Sequence, residues 1–337
     1  MLVKQAIIKN KPESLRCLGF FIPVCFLLII FFAGCNQPQS QTSKTYHRAY
    51  ITNQLDDSVS VIDTKSQSTI ATIKVGHRPA GVAISNDQIF ITNAESLDVS
   101  IIDKKSLEVI GRIDVGKGPV GIASNKNGSR IYVADWYEHQ VSVIDISDQK
   151  IIDQIKVGES PAGLIINEEK NHLYVANRDS DTVSIIDLNS HKVISELPTG
   201  DAPFGLAQNP GTNELYAINV RSNNVTVIDS ETLLVSSTLD VGEWPYCAVA
   251  TLDGKQLFVT NQDEDSVGVI DLKSGEIIST IDVGGTPEGI DITKDGQFVY
   301  VANWGDGTVS VIDVTTLEVV NTIETREGSR AFGLFID

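Results

Sequence analysis

The chain has 337 residues with a formal net charge of -18, and its first 34 residues carry Lys4, Lys9, Lys11 and Arg16 against Glu13 alone, so the remainder stands at -21. A surface that acidic repels phosphate backbones and disfavours nucleic acid as a partner, while leaving cationic partners and plain solubility open. Four cysteines exclude a disulfide-dense scaffold.

In chain order, the basic start leads into an apolar run from Cys17 to Ala33 that reads as the hydrophobic part of an export signal. Residues 1–34 are therefore assigned to a signal peptide. Residues 35–45 are assigned to a flexible tether, because Asn36 to Thr45 has no strong apolar residue and no period. With Cys17 and Cys25 inside the signal and Cys35 at its end, Cys247 is left without a partner.

From residue 46 the chain repeats itself. The phrase LYVANRDSDTVSIID, Leu173 to Asp187, returns as IYVADWYEHQVSVID, LYAINVRSNNVTVID, LFVTNQDEDSVGVID and VYVANWGDGTVSVID. Its closing aspartates fall at Asp63, Asp103, Asp145, Asp187, Asp229, Asp271 and Asp313, a spacing of 40 once and 42 five times. Such a period marks a stacked or closed array whose units cannot bury their apolar faces alone. Each unit reads as strand, polar tip, strand, turn, strand, a Gly-x-x-Pro-x-Gly loop and a further strand. The runs are rich in Val, Ile, Tyr and Thr and are bounded by Asn, Asp, Gly and Pro. Asn127-Gly128, Asp253-Gly254 and Asp295-Gly296 supply tight turns that accept positive φ.

Several strands are apolar on both faces, as Ile185 and Ile186 show, so each sheet must be covered on both sides. The expected fold is all-β: a seven-bladed β-propeller of four-stranded antiparallel blades over residues 46–337. The N-terminal blade lacks one strand, and the segment Phe332 to Ile336 matches the post-loop strand Ala80 to Ile84. The C-terminal strand should therefore join the N-terminal blade and close the ring.

The runs LYVAN, LFVTN and VYVAN, the VSVID strand and the VGxxPxG loop resemble the YVTN β-propeller repeat of bacterial and archaeal envelope proteins. The resemblance implies that the post-loop strand is innermost and that the Gly-x-x-Pro loops share a top face with the Asn-terminated tips. Phe32-Ala33-Gly34-Cys35 likewise resembles a lipobox, with Phe32 where a branched aliphatic is usual. It implies lipidation at Cys35, a membrane anchor and an extracytoplasmic envelope location.

Residues present in every copy satisfy local turns and cannot single out a site. Asn177-x-Asp179-x-Asp181 and Asn261-x-Asp263-x-Asp265 begin like calcium loops but lack the later glycine and closing glutamate. No metal and no cofactor is assigned, and no nucleophile–base pair points to catalysis. The departures from the repeat carry more. All three tryptophans, Trp136, Trp244 and Trp304, lie in top-face loops, and the residue before the second loop glycine becomes Phe204, Tyr246, Glu288 and Phe332 in successive blades. With Asp306 and Arg330 these predict a top-face ligand pocket, extended across the rim by Tyr137, His139 and Arg78. The expected function is an extracytoplasmic binding module that takes an envelope protein or small molecule on that face. A lactonase-like or quinoprotein-linked enzyme is the alternative, and nucleic-acid binding comes last.

Overall fold

The structure is a computed structural model and describes residues 46–337. The signal, the tether and Cys35 lie outside the described residues. Seven four-stranded antiparallel sheets form the domain. Blade 1 contains the strands Arg48–Asn53, Ser58–Asp63 and Ser68–Lys74. Blades 2 to 7 open with the inner strands Pro79–Ile84, Pro119–Ser124, Pro161–Asn167, Pro203–Gln208, Pro245–Ala250 and Pro287–Ile292. One 3-10 turn, Gln262–Glu264, interrupts the tip of blade 6, where the sequence gives no helical period.

The two central strands of each blade are buried on both faces, which is why they read as near-continuous apolar runs. Buried Tyr50, Phe90, Tyr132, Tyr174, Tyr216, Phe258 and Tyr300 hold the same place in successive blades and fill the space between them. The repeated asparagines lie at the ends of these strands. Asn53, Asn93, Asn177, Asn219 and Asn303 each reach side chains five and seven residues on, as Asn53 does at 2.9 Å from Ser58 Oγ and 3.0 Å from Ser60 Oγ. The repeated aspartates accept backbone N–H groups two or three residues on: Asp63 takes those of Lys65 and Ser66 at 3.1 and 2.8 Å. Both series are turn chemistry.

Pro79 pairs with Asn93 and Pro287 with Asn303, so the proline loops and asparagine tips share the top face. Inner strands approach one another closely around the axis. A Cβ on Gly121 would lie 1.9 Å from the Ala162 carbonyl oxygen, which explains the second loop glycine.

The ring closes through the last residues. Ser329 and Arg330 pair with Asn53 and Thr52, the Tyr50 N–H donates to the Phe335 carbonyl at 3.0 Å, and Ala49 bridges Ile336. This closing strand carries two extra residues. In blades 2 and 7 the residue four before the tip asparagine meets the residue five past the proline (Ile89 with Ile84, Val299 with Ile292). In blade 1 the equivalent partner, Ile336, stands seven past Ser329. The excess is taken up at Gly333, which has φ +98°, and Leu334, which is 65% exposed.

Candidate functional site

Of the twelve residues singled out by the sequence, six come together at the top of the axis. Phe204 and Tyr246 stack at 4.1 Å between centroids, Phe332 meets Phe204 edge-on at 5.0 Å and Tyr246 at 5.7 Å, and Trp136 lies 6.4 Å from Phe204. Each such contact adds ~0.5–1.5 kcal/mol beyond the apolar area it buries. Phe204 and Phe332 are buried and Trp136 and Tyr246 half-buried, with Ala80, Ala162 and Ala202 packed around them. The rings fill the channel mouth with each other, so they plug it where the sequence predicts an open pocket wall.

Beside the plug, Arg330 grips Glu288. Its Nη2 donates to Oε1 at 2.8 Å, while Nε sits 2.8 Å from Oε2 off the hydrogen-bond direction, a contact of charge alone. Gln262 Nε2 also donates to Oε1 at 3.1 Å, and the guanidinium lies 4.9 Å over the Phe332 ring. Burial pushes the Glu288 carboxyl up, and Arg330 and then Gln262 draw it back. Burial also pushes the Tyr246 hydroxyl and the Cys247 thiol up, with the Glu288 charge adding to both. Neither group is a ready nucleophile at neutral pH.

The other six stay on the rim. Trp244 is 42% exposed, and its N–H donates to Asn223 Oδ1 at 3.0 Å. Trp304 Nε1 donates to Gln54 Oε1 at 3.0 Å across the closing seam, and Asp306 Oδ2 accepts the Gly285 N–H at 2.7 Å. Arg78 reaches Glu95 at 3.3 Å, and Tyr137 is 70% exposed. His139 Nδ1 accepts the Ser160 N–H at 3.0 Å, a place taken by Asp57, Asp181, Asn223 and Asp265 in other blades. The histidine is thus a blade-to-blade acceptor.

Sequence reasoning missed Gln262 and Asp291, while Arg178 opens the variable tip centre Arg178 to Thr182 that the sequence marks as able to contribute to binding. Arg178 lies 5.7 Å over the Trp136 ring. Asp291 is buried and accepts the N–H groups of Ile292, Phe335 and Ile336 at 2.8, 2.8 and 2.9 Å, pinning the closing strand to blade 7. Burial pushes its carboxyl up to about 6 against those bonds. The available signal was an acid in an inner strand, where other copies have a small or apolar residue. Beneath the plug the channel widens into a cavity of about 420 Å³ that draws its walls from all seven inner strands.

A family model described as the YNCE-like beta-propeller matches residues 85–171. The chain fits the YVTN-type seven-bladed propellers. A second family model, the Cytochrome D1 heme domain, matches residues 210–331 of this YVTN-type propeller. Among solved structures, hydrazine synthase of Kuenenia stuttgartiensis superposes with a TM-score of 0.69 at 22% identity, covering 75% of this chain and 88% of that one. A functionally unknown protein from Desulfotomaculum acetoxidans DSM 771 gives 0.73 at 15% identity, covering 84% and 98%. The dihydro-heme d1 dehydrogenase NirN, in complex with DHE, gives 0.66 at 14% identity, covering 87% and 76%. Identities this low establish shared fold. Comparison with curated proteins returned no match.

The haem-domain match invites a test of the donor set. None of His47, His77, His139, His172 and His191 lines the cavity. Cys247 has its thiol pushed up by burial, Asp291 already serves three N–H groups, and Arg330 is paired. This channel does not fit a ligated haem iron.

Proposed function

We propose that this YVTN-type propeller is an extracytoplasmic binding module, lipid-anchored at Cys35, that docks an envelope protein on its top face. The observation that carries the reading is the one-sided distribution of the repeat's departures. Aromatic side chains gather on the top face, where Trp244 and Tyr137 stand exposed around a mouth already filled by Phe204, Tyr246 and Phe332. A filled mouth favours an extended partner segment over a small molecule at that end. Exposed aromatic residues with a polar rim are the composition of interaction hot spots.

The test is a pull-down from solubilised envelope with the wild-type chain and a Trp244→Ala/Tyr137→Ala variant. Loss of a specific partner with unchanged thermal melting supports the reading. Equal recovery by both proteins refutes it. The match over residues 210–331 supports a second reading, an enzyme related to haem-domain propellers, against which the channel's donor set weighs. A stoichiometric Soret band in protein purified from the native envelope would establish that one instead.

A further inference from the structure

The axial cavity lies at the opposite end of the channel from the aromatic plug, and no residue singled out in the sequence for binding reaches its outer mouth. Phe204, Phe332 and Cys247 form its roof. Its walls are the later residues of the inner strands, mainly Ala, Val, Ile and Leu, and the lining reaches Ile84, Pro210 and Leu252 toward the lower face, with Leu334 within it. The volume, about 420 Å³, falls within the ~300–1,000 Å³ of ordinary small-molecule pockets.

Three features narrow the ligand. The wall contains no Lys, Arg or His, so an anion would enter without a counter-charge. Its one acid, Asp291, is held by three backbone N–H groups and has no call for a ligand cation. Each inner strand pairs on one side only within its sheet, leaving backbone groups along the axis that can meet an occasional hydroxyl or carbonyl.

The mouth is also asymmetric. The two-residue excess of the closing strand lies at Gly333 and Leu334, and Leu334 lines the cavity with its side chain 65% exposed; Leu252, also in the lining, is 48% exposed. Isolated exposed leucines need no explanation, but two in the lining of one apolar cavity add accessible apolar surface to it.

We propose that this cavity is a second binding site, separate from the top face, taking a neutral, predominantly apolar small molecule that packs against Leu334.

The solubilised full-length chain is titrated with N-phenyl-1-naphthylamine, a neutral apolar fluorophore. The expected result is a saturable signal with one site per chain, weakened roughly tenfold by Leu334→Trp, whose larger side chain takes up cavity volume. Probe binding should also slow maleimide labelling of a cysteine placed on the cavity wall by Ser124→Cys, followed by peptide mass spectrometry. Trp244→Ala should leave probe affinity unchanged. The proposal is overturned if natively folded Leu334→Trp binds the probe like wild type, or if the probe fails to protect the Ser124→Cys thiol. Decanoate binding as tightly as decanol, judged by probe displacement, overturns the neutral ligand class.

Discussion

Replacing Lys104 with Met should loosen the ring at its seam. Lys104 Nζ sits 2.7 Å from Asp337 Oδ1, with the two side chains 5% and 7% exposed. The attachment is shared: Arg48 Nη1 donates to the Lys104 carbonyl at 2.6 Å, and the Asp337 N–H donates to the Arg48 carbonyl at 2.8 Å. At that separation the gross Coulomb attraction is ~6 kcal/mol for an effective dielectric near 20. Desolvation offsets most of it, but removing one partner leaves the other charge buried alone, at a cost of ~3–5 kcal/mol. Lys294, 3.7 Å from the same carboxylate and largely exposed, compensates little. Lys104→Met should therefore lower the unfolding free energy by ~3–5 kcal/mol, and Asp337→Asn by a similar amount. The double variant should fall well short of the sum, with a coupling of ~0.5–3 kcal/mol. Urea unfolding followed by tryptophan fluorescence gives all three values. A single-variant loss below ~1 kcal/mol, or strict additivity, would refute a buried clasp at the seam.

Asp291 gives the seam a pH dependence. Its carboxyl is raised from 3.8 to about 6 on folding, so the folded state binds the proton more tightly. The stabilisation is complete below the unfolded pKa and is lost as pH rises through 6, a change of ~3 kcal/mol. Asp291→Asn should flatten that segment of the pH–stability profile, measured as urea midpoints between pH 4 and 7. His139→Ala should cost ~1–2 kcal/mol by orphaning the Ser160 N–H, while His139→Asn, the residue type of Asn223, should restore most of it in the same unfolding assay.

Fold and closure were legible because their information is repeated: a 42-residue spacing and a Phe332–Ile336 segment matching Ala80–Ile84 are visible without knowing any contact. The site was legible as membership but not as shape. Phe204, Tyr246, Phe332, Glu288 and Arg330 do converge. Whether rings at a mouth line it or fill it depends on rotamers and on the neighbouring Ala80, Ala162 and Ala202, which no spacing encodes. Trp304 and His139 were drawn to the site by residue type, yet each is committed to a local bond that only coordinates reveal. The lower cavity went unseen for the opposite reason. It is built from unremarkable repeat positions, and the readable trace was the small side chains at Ala83, Ala123, Ala207 and Ala250.

Because Asp337 bonds to Arg48, the two limits of the folded ring lie side by side, and the order of blades in space has no intrinsic first member. A short linker from residue 337 to residue 46, with the chain opened instead in a lower-face turn such as Asn189–Ser190, would give a circular permutant with the same seven sheets. In that protein the seam would move to blade 4, and the strands now held at blade 1 by Lys104 and Asp291 would become ordinary covalent neighbours. Comparing the two unfolding curves would separate what the clasp contributes from what the blades contribute on their own.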